Sequence, residues 1–158
     1  MSTDVSPPPQ EDPQIPQGKP QRSQANRHVP QLPPRDIPDG PATETYNDGA
    51  PLAEGNYSCG KRHGRWTYYY HSGQLKAVGE LDADTFQGPW TWWRENGEKL
   101  QEGDFVDGVQ HGRWRRFHAN GALMDEGTWT NGKRSGEWTH YDPDGAVTRT
   151  KTFRTPLP

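Results

Sequence analysis

Glycine and tryptophan recur together at an interval of 24 residues along most of the chain. Each glycine is followed two positions later by a tryptophan, with no insertion or deletion between one occurrence and the next. Self-similarity at a fixed spacing indicates a repeat architecture, in which each unit is one small supersecondary element. The glycines are Gly64, Gly88, Gly112 and Gly136, and the tryptophans are Trp66, Trp90, Trp114 and Trp138.

Further columns of aromatic residues and glycines keep the same spacing, and their agreement in register excludes coincidence. One aromatic column contains Tyr69, Trp93, Phe117 and Tyr141, and one glycine column contains Gly73, Gly97, Gly121 and Gly145. A second glycine column contains Gly55, Gly79, Gly103 and Gly127, and two positions after it come Tyr57, Leu81, Phe105, Trp129 and, one period on, Phe153.

Each repeat contains two short turn signals, and the segments between them have the length of strands. Asn-Gly and Asp-Gly pairs favour the positive φ values of tight hairpins, and no segment has apolar residues at helical spacing. The two turns contain Ser72-Gly73 and Cys59-Gly60, with their equivalents 24 residues apart. We therefore predict an all-β fold, an elongated antiparallel β-meander of about four 24-residue hairpin repeats near residues 64–87, 88–111, 112–135 and 136–158.

The repeats contain few aliphatic residues, so their stability must come from aromatic side chains stacked between neighbouring units. We expect the glycine columns to mark positions where a ring lies flat on the backbone of the next strand, which makes Trp114 one of the costliest residues to truncate. Period-2 alternation places Trp66, Tyr68 and Tyr70 on one face and Tyr69 on the other. Either both faces carry rings or a bulge shifts the register.

The segment 1–54 has a different composition, with twelve of the chain's 16 prolines and a single aromatic residue, Tyr46. Proline removes ladder donors, and the few apolar residues cannot offset the entropy of the chain. We predict that residues 1–54 are disordered and partly polyproline II, and that the repeat domain occupies residues 55–158. The sequence PQLPPR at 30–35 fits the PxxP pattern bound by SH3-type grooves, but a proline-rich segment also matches that pattern by chance.

Three stretches resemble MORN repeats, in the variant form found in bacterial proteins labelled as the YwqK-type antitoxin family. They read GKRHGRWTYYYHSGQLKAVGEL, GVQHGRWRRFHANGALMDEGTW and NGKRSGEWTHYDPDGAVTRTKTF, and the resemblance covers about residues 55–153. The chain departs from the pattern at Ala83-Asp84, at Pro89, and at Lys151, which replaces the last glycine and resembles a terminal cap. The resemblance implies a twisted sheet that serves as a scaffold for other proteins, with lipid binding proposed for some members and no catalytic residues.

The first two repeats contain more rings than the packing of a single sheet requires, and Trp and Tyr dominate interface hot spots. We therefore predict a non-catalytic scaffold for protein–protein interaction, with an antitoxin-like role implied by the resemblance. On this interpretation, Trp92→Ala weakens partner capture and leaves the melting temperature nearly unchanged. The candidate partner-binding residues are Trp66, Tyr68, Tyr70, Trp90, Trp92 and Trp93.

Two alternatives remain open. The stretch GRWTYYY is similar to the units of choline-binding modules, which favours an aromatic-cage module for glycan or choline, although the 24-residue period counts against it. A membrane-surface-binding repeat module follows from family analogy, but almost neutral repeats give it little electrostatic support.

No enzyme activity, metal site or cofactor is predicted. His63 and His111 lie two repeats apart, roughly 19 Å at about 4.8 Å per strand, too far to share an ion. The net charge of −3 gives no reason to expect nucleic acid, and a solvated strand face is the better explanation of the basic cluster 113–116. The single cysteine and the absence of a secretory signal indicate a cytoplasmic protein. Exposed end strands can pair with another chain, so the oligomeric state stays open.

Overall fold

The structure is a computed structural model that describes residues 37–157. All the described residues belong to a single compact unit. The PxxP motif at 30–35 and residues 1–36 of the segment predicted to be disordered lie outside the described residues.

The described residues form ten antiparallel strands in one open sheet, and the order of the strands in the sheet is their order along the chain. This topology confirms the predicted all-β meander. Substantial contacts join only neighbouring strands, so within residues 37–157 no second layer packs on the sheet. The strands are β1 (Gly40–Thr45), β2 (Pro51–Ser58), β3 (Lys61–Tyr69), β4 (Leu75–Asp82), β5 (Thr85–Trp93), β6 (Lys99–Val106), β7 (Val109–Phe117), β8 (Leu123–Thr130), β9 (Lys133–Tyr141) and β10 (Val147–Phe153).

Two kinds of turn alternate along the meander, as the sequence predicts. Two-residue turns lead into the odd-numbered strands from β3 onward, and both residues have positive φ, as in Cys59 (51°) and Gly60 (75°). That combination matches the twist of the flanking strands. The other kind of turn is wider. In the turn that follows β3, the Gly73 N–H donates to the Tyr70 carbonyl at 2.8 Å, and Gly73 has a φ of 87°.

A bulge in each odd-numbered strand from β3 to β9 explains the glycine that precedes each tryptophan. Between β2 and β3 the register shifts so that residues 64–66 face Gly55 alone. Gly64 has a φ of 74°, a left-handed conformation that glycine adopts without strain. The same shift recurs between β4 and β5, between β6 and β7, and between β8 and β9. Both alternatives that the sequence left open therefore hold, because the odd-numbered strands are bulged and rings lie on both faces of the sheet.

The predicted domain boundary at residue 54 is wrong, because β1 and half of β2 precede it. Gly40 and Gly49 stand 24 residues before Gly64 and Gly73, so a further unit, residues 40–63, precedes the four predicted ones. Two features hide this unit in the sequence. Ala42 occupies the tryptophan column, and the proline-rich composition of the segment 1–54 masks the short alternating strand.

The sheet has two faces, which we name by their side chains. The tryptophan face carries the column of Trp66, and the opposite face carries the column of Tyr69. Glu54 shows this placement, because it pairs with Thr67, one position after Trp66, and its Oε2 accepts a hydrogen bond from the Tyr69 hydroxyl at 3.0 Å. Residues 37–157 include no helix long and apolar enough to cross a membrane.

Candidate binding surface

Four indole rings form a ladder on the tryptophan face, each lying on the glycine of the preceding strand. A Cβ added to Gly79 would stand 2.1 Å from the Trp90 ring, so no other residue fits there without a shift. Each indole N–H also donates to a backbone carbonyl of the preceding strand, as Trp90 Nε1 does to the Glu80 oxygen at 3.0 Å. Tryptophan alone among the aromatic residues supplies both the large ring and this donor. The other ring and glycine pairs are Trp66 on Gly55, Trp114 on Gly103 and Trp138 on Gly127.

Between the ladder rings lies a second column, which is aromatic in the first two predicted repeats. Tyr68 lies between Trp66 and Trp90, with ring centroids 6.3 and 6.1 Å away. Trp92 lies 5.7 Å from Trp90 and 5.9 Å from Trp114 in stacked arrangements. Five rings therefore form one continuous series, which stabilises the contact between neighbouring repeats.

This packing corrects the expectation that the candidate partner-binding rings are exposed. Trp66, Trp90 and Trp92 are 0%, 1% and 6% exposed, so their rings belong to the core. A buried ring cannot line an open aromatic cage, so Trp66 cannot form part of a choline-binding site. Tyr68, Tyr70 and Trp93 are only partly buried, and the structure does not test whether they bind a partner.

The second column changes chemistry halfway along the sheet, and the residues opposite it change with it. Tyr68 and Trp92 pair with Ala77, which leaves room for their rings. In the equivalent places of the last two repeats, Arg116 and His140 pair with Asp125. A large ring is therefore paired with a small residue in the first two predicted repeats, and an Arg or His side chain is paired with a carboxylate in the last two. The four residues of the second column are spaced 24 apart, but their change in chemistry conceals the column in the sequence.

Asp125 is the centre of a buried polar cluster. Its side chain is fully buried, and its carboxylate accepts hydrogen bonds from the Arg116 guanidinium, with Nε at 2.9 Å from Oδ1. His140 Nδ1 lies 3.5 Å from the same carboxylate. A buried carboxylate is tolerated only when it is paired and hydrogen-bonded, so this cluster is a specific structural substitute for the stacked rings.

The opposite face carries a row of half-buried rings with no layer of described residues over it. The row consists of Tyr69, Trp93, Phe117 and Tyr141, one ring from each predicted repeat. Because successive side chains of a strand alternate in direction, Trp93 points away from its buried neighbour Trp92. We call this row the aromatic row.

Charged pairs flank the aromatic row in the second and third predicted repeats. Arg113 is paired with Glu126, and this hydrogen bond, together with one from Tyr141, holds the pKa of the Glu126 carboxyl below its usual value. Burial raises the pKa of the Glu102 carboxyl, but its contacts with Lys99 and Arg115 outweigh burial and leave that pKa lowered. The surface around the row is therefore charged and internally neutralised, not of one sign.

A further column joins neighbouring repeats by hydrogen bonds at the wide turns. The Tyr70 hydroxyl donates to the Trp93 carbonyl at 2.7 Å, and the Tyr46 hydroxyl donates to the Tyr69 carbonyl at 2.9 Å. Arg94 and His118 occupy the same column and contact the carbonyls of Phe117 and Tyr141. Tyr70, predicted from its sequence position to bind a partner, therefore has a structural contact with the next repeat.

Two exposed histidines each lie beside an aspartate. His63 Nδ1 lies 3.2 Å from Asp82, and His71 Nε2 lies 2.5 Å from Asp48. Among residues 37–157 no group of three or more His, Cys, Asp or Glu side chains is arranged to hold a metal ion. Cys59 is exposed at a hairpin turn.

The fold and its repeated ring-on-glycine contact define a single-sheet repeat protein. The model of the MORN repeat variant matches residues 62–81 and 110–131, and that of the MORN repeat matches residues 102–113 and 126–147. These matches support the prediction of MORN repeats made from the sequence. The YwqK-type antitoxin assignment stays a prediction.

Comparison with curated proteins finds no match. Among solved structures, the crystal structure of the GtfA/B complex bound to UDP and GlcNAc matches 77% of this chain and 25% of its own, with 12% identity and a TM-score of 0.28. The chain thus spans a quarter of that protein's length. A similarity at this TM-score carries no argument about fold or function.

Proposed function

We propose that the chain is a non-catalytic repeat scaffold that binds a protein partner through the aromatic row. The observation that supports this proposal is the uncovered row itself, with four half-buried rings on a face over which no described element packs. The rings of the row are not needed to stabilise the sheet, because the tryptophan ladder already supplies the buried apolar surface. Rings presented on a rigid sheet bind at low entropic cost, since few side-chain rotations are frozen.

A protein is the partner that the chemistry of this face favours. Trp, Tyr and Arg are enriched in interface hot spots, and the row places them beside neutralised ion pairs that resemble the rim of an interface. Arg113 and Arg115 are each paired with a glutamate, which leaves no strip of unpaired positive charge along the row for phosphates. MORN repeats commonly serve in protein or membrane binding, which agrees with a binding role for these repeats.

The neighbours Trp92 and Trp93 allow a matched test, because they point to opposite faces of the same strand. We expect Trp93→Ala to weaken capture of partner proteins from the native cell while the melting temperature changes little. Trp92→Ala should lower the melting temperature, since its ring is stacked between Trp90 and Trp114. The captured proteins are quantified for both variants and for Phe117→Ala. Unchanged capture by Trp93→Ala and Phe117→Ala together would refute the proposal.

The antitoxin role is a narrower form of the same proposal and rests on the resemblance to the YwqK-type family. It places the protein in the cytoplasm with a toxic protein as its partner. Co-expression tests it, because the intact chain should restore growth to cells that produce the captured partner, and Trp93→Ala should not. Growth arrest that the intact chain does not relieve would exclude the antitoxin role but not the scaffold function.

Membrane-surface binding is the alternative function, and vesicles separate it from protein binding. Vesicles with a high content of anionic lipid should not retain the chain in a flotation assay, because the charges beside the aromatic row are paired. Retention that Trp93→Ala abolishes would assign the row to lipid.

A further inference from the structure

Within residues 37–157, the two end strands of the sheet, β1 and β10, each have one edge without a partner strand, and the repeat register shows which strand each edge fits. In the columns of the interior strands, Asn56, Glu80, Asp104 and Thr128 direct their carbonyls to the following strand, where an indole N–H meets them. Thr152 of β10 occupies this column and Thr150 the one two residues before it. Alternation of the backbone therefore directs the peptide groups of both threonines to the open edge.

Strand β1 shares its sequence columns with the bulged interior strands. Gly40 belongs to the column of bulge glycines, and its φ is positive (117°), as theirs are. Pro41 belongs to the column of Pro89, which lies within β5 between two paired strands. Pro89 is tolerated there because the bulge leaves its position without a ladder partner on β4. Pro41 is therefore no obstacle to a strand beside β1.

The side chains that would meet if β10 paired with β1 are also compatible in size. At each of the four interior junctions a tryptophan lies on a glycine of the preceding strand. Ala42 replaces tryptophan on β1, and Lys151 replaces glycine on β10. Each replacement alone would spoil a junction of the ladder, but together they are compatible, because a strand with Ala42 brings no ring that needs the space of a glycine.

Charge completes the match between the two edges. Strand β10 carries Arg149 and Lys151 with no acidic residue, whereas Asp39 and Glu44 lie in and beside β1. The interior register, in which Ala77 faces Trp92, would place Arg149 opposite Glu44 of a second copy, where it would join the ion pair that Glu44 forms with Arg62 of its own chain. This continues the polar matching of the column, in which Asp125 faces His140.

We propose that β10 of one copy pairs antiparallel with β1 of a second copy, so that the sheet continues head to tail from chain to chain. Two β10 strands are a poorer match, since Arg149 and Lys151 would approach their own equivalents. A head-to-tail contact does not close on itself as a two-fold dimer does, so the expected product is a series of species that lengthens with concentration.

Two edge-blocking variants test the proposal. Thr152→Pro removes an N–H from the open edge of β10, and Thr43→Pro does the same on β1, because Thr43 shares the column of Thr67. Sedimentation velocity across a concentration series should show association of the native chain and a monomer for each variant alone. An equimolar mixture should form a dimer and nothing larger, since one good β10 edge and one good β1 edge remain.

Each other outcome identifies a different arrangement and overturns this one. Association of Thr43→Pro alone means pairing of two β10 strands, association of Thr152→Pro alone means pairing of two β1 strands, and a native chain that stays monomeric means no edge pairing. Cys59, the single cysteine and exposed, accepts donor and acceptor dyes, so energy transfer in the mixture provides a second readout.

A variant without proline protects the test against misfolding. Arg149 is exposed, so Arg149→Glu should keep the melting temperature of the native chain. It should weaken association by about tenfold or more, because it places two acidic groups opposite each other. Unchanged association of Arg149→Glu would contradict the register proposed for the junction.

Discussion

Trp114 lies on Gly103 so closely that a Cβ at residue 103 would stand 2.1 Å from a ring carbon of the indole. The Trp114 N–H donates to the carbonyl of the next residue, Asp104, at 3.1 Å. The ring and the glycine therefore form one contact, repeated at every interior bulge, and it is this contact that holds neighbouring repeats together.

Replacing this glycine should be costly only while the ring is present. We expect Gly103→Ala to lower the free energy of unfolding by about 1–3 kcal/mol through overpacking. Trp114→Ala should lower it by about 3–5 kcal/mol, as other truncations of buried tryptophan do. Chemical denaturation of both single variants and the double variant measures the coupling. An equal cost of Gly103→Ala with and without the ring would assign the glycine to backbone conformation instead.

Trp92 and Trp93 should differ in stability as well as in binding. Trp92 is 6% exposed and stacked on two ladder rings, so Trp92→Ala should cost about 3–5 kcal/mol of unfolding free energy. Trp93→Ala removes a half-buried ring from the uncovered face and should cost clearly less. Thermal melts of the two variants side by side measure the difference, and equal losses would place both rings in the core.

The polar cluster around Asp125 should be exchangeable for the stacked arrangement of the preceding repeat. Asp125→Ala should cost about 1–3 kcal/mol, because it removes hydrogen bonds between charged groups. Arg116→Trp alone places a ring beside a buried carboxylate and should also destabilise. The double variant restores the combination of Trp92 with Ala77 and should recover part of the loss, as measured by denaturant unfolding. Strictly additive losses would show that the two columns are not matched to each other.

Acid should weaken the additional N-terminal unit, residues 40–63, through Glu44. Burial raises the pKa of this carboxyl, but hydrogen bonds from Arg62 and Tyr57 outweigh burial and leave the pKa below its ordinary value of 4.5. A lowered pKa in the folded state contributes stability above the pKa of the unfolded state, and this contribution is lost as the pH falls through the folded value.

The free energy of unfolding should therefore be steady at neutral pH and fall below about pH 5, the range in which an unfolded glutamate begins to bind protons. Glu44→Gln should be less stable than the native chain at neutral pH and should lose less on acidification. Parallel acid titrations followed by tryptophan fluorescence compare the two chains. Identical acid profiles would exclude Glu44 as a contributor.

The repeating columns were sufficient to predict the meander, the turns and the ring-on-glycine contact, because each depends on residues that are close in sequence. Alternation also separates Trp66 and Tyr68 from Tyr69 correctly, because the bulge lies at residues 64–66 and the strand beyond it alternates regularly. The pattern does not show which rings are buried, since Trp92 is buried through its stacking on Trp90 and Trp114, and Trp114 lies two strands away. The sequence therefore predicts Trp92 at the surface and does not identify the aromatic row as the uncovered face. The exchange of stacked rings for Arg116 and Asp125 was missed for a simpler reason. A column that changes chemistry does not register as a repeat.

The ladder also implies that this protein can change length only in whole steps. Excising residues 88–111 would bring Trp114 onto Gly79, a glycine that already lies beneath a ladder ring in the native chain. The remaining turns would keep their sequence and spacing. The same excision would pair Arg116 with Ala77 and would remove Gln101, which pairs with Trp92 on one side and with Arg116 on the other. The ladder therefore allows a whole unit to be duplicated or lost. The second column restricts such changes, because its side chains fit only particular neighbouring units, and so it determines the order of the units along the sheet.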